Sequence, residues 1–231
     1  MFASVLRHFG IDFYDYQEQG FAEGCIKKGL KPELVVASLE DIIEDDYEHL
    51  QYLIGLPVDL IITYLKHKHY FFIKQTLPYL AKLINCYPTN NDTSIINEIQ
   101  LVFPLFVEDF IIHMHEEEST TFKHILEIDS ALKGEVIFSK IFFGLKNNAI
   151  KSLADEHEVQ DDVMLAIREL TNNYAMKKES PVLLKVIYSE LQSFEKHLII
   201  HSRIENEVLF PKALLLEKEL NKTITKYSVF N

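Results

Sequence analysis

Two histidine–glutamate pairs at helical spacing are the residues best placed to do chemistry: His113-Met-His-Glu-Glu117 and His201-Ser-Arg-Ile-Glu205. Residues four apart on an α-helix lie one above the other, so each pair can aim an imidazole nitrogen and a carboxylate at one point. Each pair follows a strongly apolar stretch, Phe103 to Phe110 and Leu191 to Ile200. Ionisable groups in such surroundings are costly unless compensated, and a metal ion compensates both types at once. A third feature supports the same reading. Ile150, Leu153, His157, Met164 and Ile167 follow the helical period and place His157 on an apolar face. One histidine of this kind is more often a satisfied core residue than a ligand, but three such features on three helices point to a metal centre. Mixed imidazole and carboxylate ligation suits iron or manganese better than structural zinc, which usually recruits cysteine. Glu117 and Glu205 are the expected bridges between two ions about 3.5–4 Å apart. His113, His157 and His201 are the expected terminal ligands, leaving an open position for a diatomic molecule. His197, Glu118 and Asn206 are candidates for the hydrogen bonds that fix histidine tautomers.

The elements that must hold these residues read as almost entirely helical, because alternating β-branched runs are rare. A helix is expected from Leu56 to about Asn85, kinked or interrupted at Pro78. The polar cluster Pro88-Thr-Asn-Asn-Asp-Thr93 reads as a loop. Further helices are expected from Ser94 to about Ile128, from Asn147 to about Met176, and from Ser180-Pro181 to about Lys218, with an apolar segment at Ser130 to Leu145 packing as an extra helix. Four long helices around a polar constellation make a four-helix bundle the economical architecture. Before it, Met1 to about Asp46 carries short helices around Val5 to Phe9, Phe21 to Lys28 (ended by Gly29) and Pro32 to Glu44. The acidic run Glu44 to Glu48 reads as a solvated linker or helix end.

Composition bounds the function. At 231 residues, 48% hydrophobic with seven glycines, the chain suits one large domain, or a main domain with an appendage. A formal net charge of −12 argues against nucleic-acid binding, which needs clustered Lys and Arg, and fits a cytoplasmic protein. Cys25 and Cys86 cannot make a disulfide framework and suggest a reducing compartment. No secretory signal is visible, and the apolar run Leu53 to Leu65 is too short to span a bilayer.

At its ligand-type residues the chain resembles the repair-of-iron-centres family, di-iron proteins with a hemerythrin-like domain. That family carries His-x-x-x-Glu-Glu-x-x-x-Phe on one helix, like His113 to Phe122, and Glu-His on the next, like Glu156-His157. Its last helix bears His-x-x-x-Glu-Asn-x-x-Leu-Phe-Pro, matched by His201, Glu205-Asn206 and Leu209-Phe210-Pro211. Leu77-Pro78 lies in the region resembling the first bundle helix. Phe9 to Phe13 and Gly24 to Leu30 look like its small cysteine-bearing domain. The resemblance implies an all-α protein: a hemerythrin-like four-helix bundle over residues 50–220, after a small helical N-terminal domain over 1–46. It implies non-haem iron as cofactor, a carboxylate-bridged di-iron site, and protection or restoration of iron–sulfur clusters under nitrosative or oxidative stress.

Two departures bear on that expectation. Where the family has an adjacent thiol pair this chain reads Tyr14-Asp15-Tyr16-Gln17, and an isolated Cys25 cannot do dithiol work. On the first bundle helix the family histidine falls at Tyr70. Either His69, by a one-residue register shift, or Tyr70, as a phenolate, takes its place, with His67 a weaker candidate. A further family histidine falls near Asn90 and Asn91, where Asp92 is the nearest substitute. The expected ligand set is therefore His69, His113, Glu117, His157, His201 and Glu205, and an asymmetric or mononuclear site is the alternative to a di-iron one. Expected partners are nitric oxide or dioxygen and damaged iron–sulfur proteins, with a homodimer as one expected assembly. The rival expectation is an oxygen- or nitric oxide-binding or sensing module without repair activity, and whether the chain is an enzyme is left open.

Overall fold

A computed structural model describes residues 53–88, 94–135, 150 and 164–229, together with Ile26, Gly29 and Lys31. The short N-terminal helices, the Ser130 to Leu145 segment beyond Glu135, and most of the expected third helix lie outside the described residues. Gly29 adopts φ +70°, with its N–H donating to the Ile26 carbonyl, the left-handed turn in which a helix stops.

Among the described residues every regular element is helical and none is a strand. Helix α1 (Val58–Phe71) starts one residue after Pro57, whose carbonyl accepts from the Leu60 and Ile61 N–H groups. A wide, π-helical turn (Phe72–Thr76) joins it to α2 (Leu77–Asn85). Helix α3 (Ser94–Glu117) passes through a second wide turn (Glu118–Phe122) into α4 (Lys123–Leu132). Helix α5 (Leu165–Leu170) is followed by α6 (Val182–Ile204), a third wide turn (Glu205–Leu209) and α7 (Phe210–Val229).

Two of the three wide turns have a local cause. Pro78 and Pro211 each sit second in the helix after the turn, and each lacks an N–H and crowds the carbonyl four residues back. Widening the turn accommodates both effects without breaking the helix. The interruption expected at Pro78 is thus present as a π turn. In the third of these turns the Phe210 N–H donates to the Glu205 carbonyl, five residues back. The second turn has no proline; there the Glu116 carbonyl accepts from the Ser119 and Thr120 hydroxyls.

The buried faces follow from sequence period. In α1 they are Val58, Ile61, Ile62, Leu65 and His69. From α6 into the third wide turn, Ile187, Leu191, Phe194, Leu198, His201 and Glu205 repeat at alternating steps of four and three, the spacing of a continuous helical seam. The chain divides into two units. One contains 72–88, 94–107 and 164–197, with buried Leu80, Leu83, Ile99, Phe103 and Phe194 among its core. The other contains 53–71, 108–135, 150 and 198–229. Its core joins Ile61, Leu65, Phe122, Ile125, Ile128, Val208, Leu209 and Phe210.

The third helix ends earlier than expected. It stops at Leu170, and Asn172, Asn173 and Tyr174 take φ of 48°, 56° and 56°. Asn tolerates this region; Tyr174 is held there by its N–H donating to Thr171 Oγ1 at 3.0 Å and its hydroxyl donating to Glu195 at 2.7 Å. The last helix runs past the expected Lys218 to Val229.

Candidate metal centre

Three chain segments of the second unit deliver four donors to one point. His69 comes from the last turn of α1, Glu117 from the last residue of α3, and His201 and Glu205 from α6 and the wide turn it enters. Each ends or interrupts an apolar stripe: His69 continues Ile61 and Leu65, and Glu117 continues Phe110 and Met114. One donor atom from each of the four lies within 4.8 Å of all the others. All four residues are at most 5% exposed.

The distances suit shared ligation. His69 Nε2 lies 3.1 Å from His201 Nε2 and 3.5 Å from Glu117 Oε2, and His201 Nε2 lies 3.0 Å from Glu205 Oε1. Ligand atoms each about 2.1 Å from one ion and at right angles to each other stand about 3 Å apart. Burial, helped by His201, His113 and Lys66 and opposed by Glu205, lowers the pKa of the His69 imidazole from 6.5 to about 3. His69 is therefore neutral at pH 7, the state in which imidazole ligates. Outside the four, Glu118 Oε1 lies 2.9 Å from His69 Nδ1, and Phe122 stacks on the imidazole at 5.5 Å and 17°.

Two imidazoles and two carboxylates in an apolar interior fit a divalent cation of the iron or manganese type, and they contain no thiolate of the kind structural zinc prefers.

The other expected residues fall differently. Tyr70, one residue round the helix from His69, is 58% exposed and outside the group. His67 is exposed. His113 is half-buried and outside the group of four, because the helix turns Met114 inward at that level. His157, Asn90, Asn91 and Asp92 lie outside the described residues. Among the candidates for tautomer control, Glu118 contacts His69, Asn206 donates to Ser202 Oγ at 3.3 Å, and His197 is exposed. His124 is also buried, in α4 beside the apolar Ile125 and Ile128, whose spacing is the sequence signal for it. Cys86 is an exposed free thiol, and Cys25 lies outside the described residues. No helix among the described residues is long and apolar enough to cross a membrane.

No family model matches the chain. It is similar to the iron-sulfur cluster repair protein ScdA of Staphylococcus haemolyticus, at 22% identity over 91% of this chain and 91% of that protein. It is also similar to the iron-sulfur cluster repair protein YtfE of Escherichia coli K12, at 22% identity over 92% of this chain and 90% of that protein. The matches run over nearly the whole length of both partners.

Proposed function

We propose that the chain is a non-haem iron-binding protein of the iron–sulfur cluster repair type. Its fold on this reading is a hemerythrin-like four-helix bundle over about 50–220, after a small helical N-terminal domain over 1–46. The observation that carries the reading is the convergence of His69, Glu117, His201 and Glu205 within 4.8 Å inside an apolar core. The nearly full-length likeness to repair proteins supports iron as the metal and damaged iron–sulfur proteins as the target.

His69 and His201 would present Nε2 lone pairs, and Glu117 and Glu205 would present carboxylates able to bridge two ions. His113, half-buried one turn before Glu117, and His157 would complete a second metal position. Iron bound there supplies an open coordination site and accessible redox states. The protein's own contribution is to hold the donors in fixed rotamers, cover the His69 ring with the stacked Phe122, and set the His69 tautomer. On this reading the protein works in the cytoplasm under nitrosative or oxidative stress, with nitric oxide or dioxygen as small ligand and a homodimer as its assembly.

Anaerobic iron loading followed by metal analysis tests binding. Recovery of activity in a cluster enzyme damaged by nitric oxide, on adding the loaded protein, tests repair. A second reading, reversible binding or sensing of oxygen or nitric oxide, is favoured by Tyr14-Asp15-Tyr16-Gln17 standing in place of a thiol pair. Spectral change with nitric oxide but no recovery of the damaged enzyme selects it.

A further inference from the structure

We propose that Glu118 is the positioning residue of the metal centre: it holds His69 in the Nδ1–H tautomer, so that the Nε2 lone pair faces Glu117, His201 and Glu205. The purpose of this arrangement rests on the metal reading above; its geometry does not.

A neutral imidazole carries one proton, and His69 has a carboxylate at each nitrogen. Glu118 Oε1 stands 2.9 Å from Nδ1, whereas Glu117 Oε2 stands 3.5 Å from Nε2. A carboxylate only accepts, so the short contact requires the proton on Nδ1. Moving that proton to Nε2 would let His69 donate to Glu117 and would remove the lone pair that a cation needs. Glu118 therefore prevents two ligands from satisfying each other.

Both carboxylates reach one ring from adjacent positions. Glu117 keeps α-helical dihedrals, and the segment from Glu118 to Phe122 is π-helical. Glu117 immediately precedes it, Glu118 opens it and Phe122 closes it. All three touch His69: at Nε2, at Nδ1 and on the ring face. The near-parallel stack of Phe122, at 17°, resists the ring flip that would exchange the nitrogens. The remaining contact, Nε2 to Nε2 at 3.1 Å, is then a hydrogen bond if His201 keeps its proton there, or a shared ligation geometry if both lone pairs meet one cation. Glu118 itself remains partly exposed, with its side chain at 31%. Its replacement therefore leaves no cavity in the core.

Long-range proton–nitrogen correlation on the metal-free, full-length protein with labelled histidine reads the tautomer directly. Wild type should show Nδ1–H at His69. Glu118→Ala should shift it toward Nε2–H and weaken Co(II) binding about 10–100-fold, the usual cost of a lost outer-shell partner. Glu118→Gln, whose amide oxygen accepts the same bond, should keep Nδ1–H and near-wild-type binding. An Nε2–H tautomer in wild type overturns the proposal, as does an unchanged tautomer and Co(II) affinity in Glu118→Ala. If the tautomer responds as expected while wild type binds no Co(II), Glu118 keeps its assigned role and the metal reading fails.

Discussion

Each of the two units holds a polar network, part-buried in the first and buried in the second, and the two are built on opposite principles. In the first unit Glu195 receives Arg168 on one carboxylate oxygen and the Tyr174 hydroxyl, at 2.7 Å, on the other. One cation, one anion and one neutral donor close that network from within. In the second unit two carboxylates face two imidazoles, with no Lys or Arg among the four, and His69 is held neutral by burial. Burying a charge costs several kcal/mol unless a partner offsets it. The first network needs nothing from outside; the second has the composition of a receptor for a cation.

Breaking the second network should therefore show chiefly in metal binding, and breaking the first in stability. The largest effect is expected for His201→Ala, which removes a donor. Its loss of Fe(II) or Co(II) affinity should exceed the ~10–100-fold typical of outer-shell partners, while exposed His67→Ala leaves affinity unchanged. Chemical denaturation with the metal at 100 times its wild-type Kd should stabilise wild type by about 2.7 kcal/mol and His201→Ala hardly at all. Arg168→Leu should act the other way round. Leaving Glu195 without its cation should cost about 1–3 kcal/mol in denaturant midpoints, discounted because Arg168 is part-exposed, and metal affinity should stay at the wild-type value.

A smaller effect concerns acid. His69 has its pKa at about 3 in the folded chain against 6.5 ordinarily, so between those values the unfolded chain binds the extra proton. Stability of the metal-free protein should fall as pH drops from about 6.5 toward 3, and His69→Gln should flatten that fall. A slope identical in the two proteins would show that His69 is not the group responsible. The smallest effect is expected for Arg203→Ala. Arg203 and Glu207 share the spacing of His201 and Glu205 and bond at 2.7 Å, yet both are well exposed, so neither Tm nor metal binding should move measurably.

That last pair shows what spacing alone conveys. His201 and Glu205 were legible because they extend an apolar seam running from Ile187, while Arg203 and Glu207 lie off it. His69 was legible only as a one-residue shift from Tyr70, where the family pattern falls; the buried Ile61–Leu65–His69 stripe decides between them. Glu117 and His113 were indistinguishable by i,i+4 spacing; which of the two reaches the group of four is settled by packing at Met114, whose burial leaves His113 at the margin. The wide turns were half legible, through Pro78 and Pro211. The turn at Glu118 carries no such mark: Glu118 was legible as a candidate for tautomer control, but not as sharing the His69 ring with Glu117. The end of the third helix depended on Tyr174 finding Glu195, a contact between residues distant in sequence.

Iron-edge anomalous diffraction from crystals of anaerobically loaded protein tests the central claim most directly. The account predicts a peak about 2.0–2.2 Å from Nε2 of His69 and His201 and from carboxylate oxygens of Glu117 and Glu205. Iron located elsewhere, or fully loaded protein with no peak among these four side chains, would contradict it.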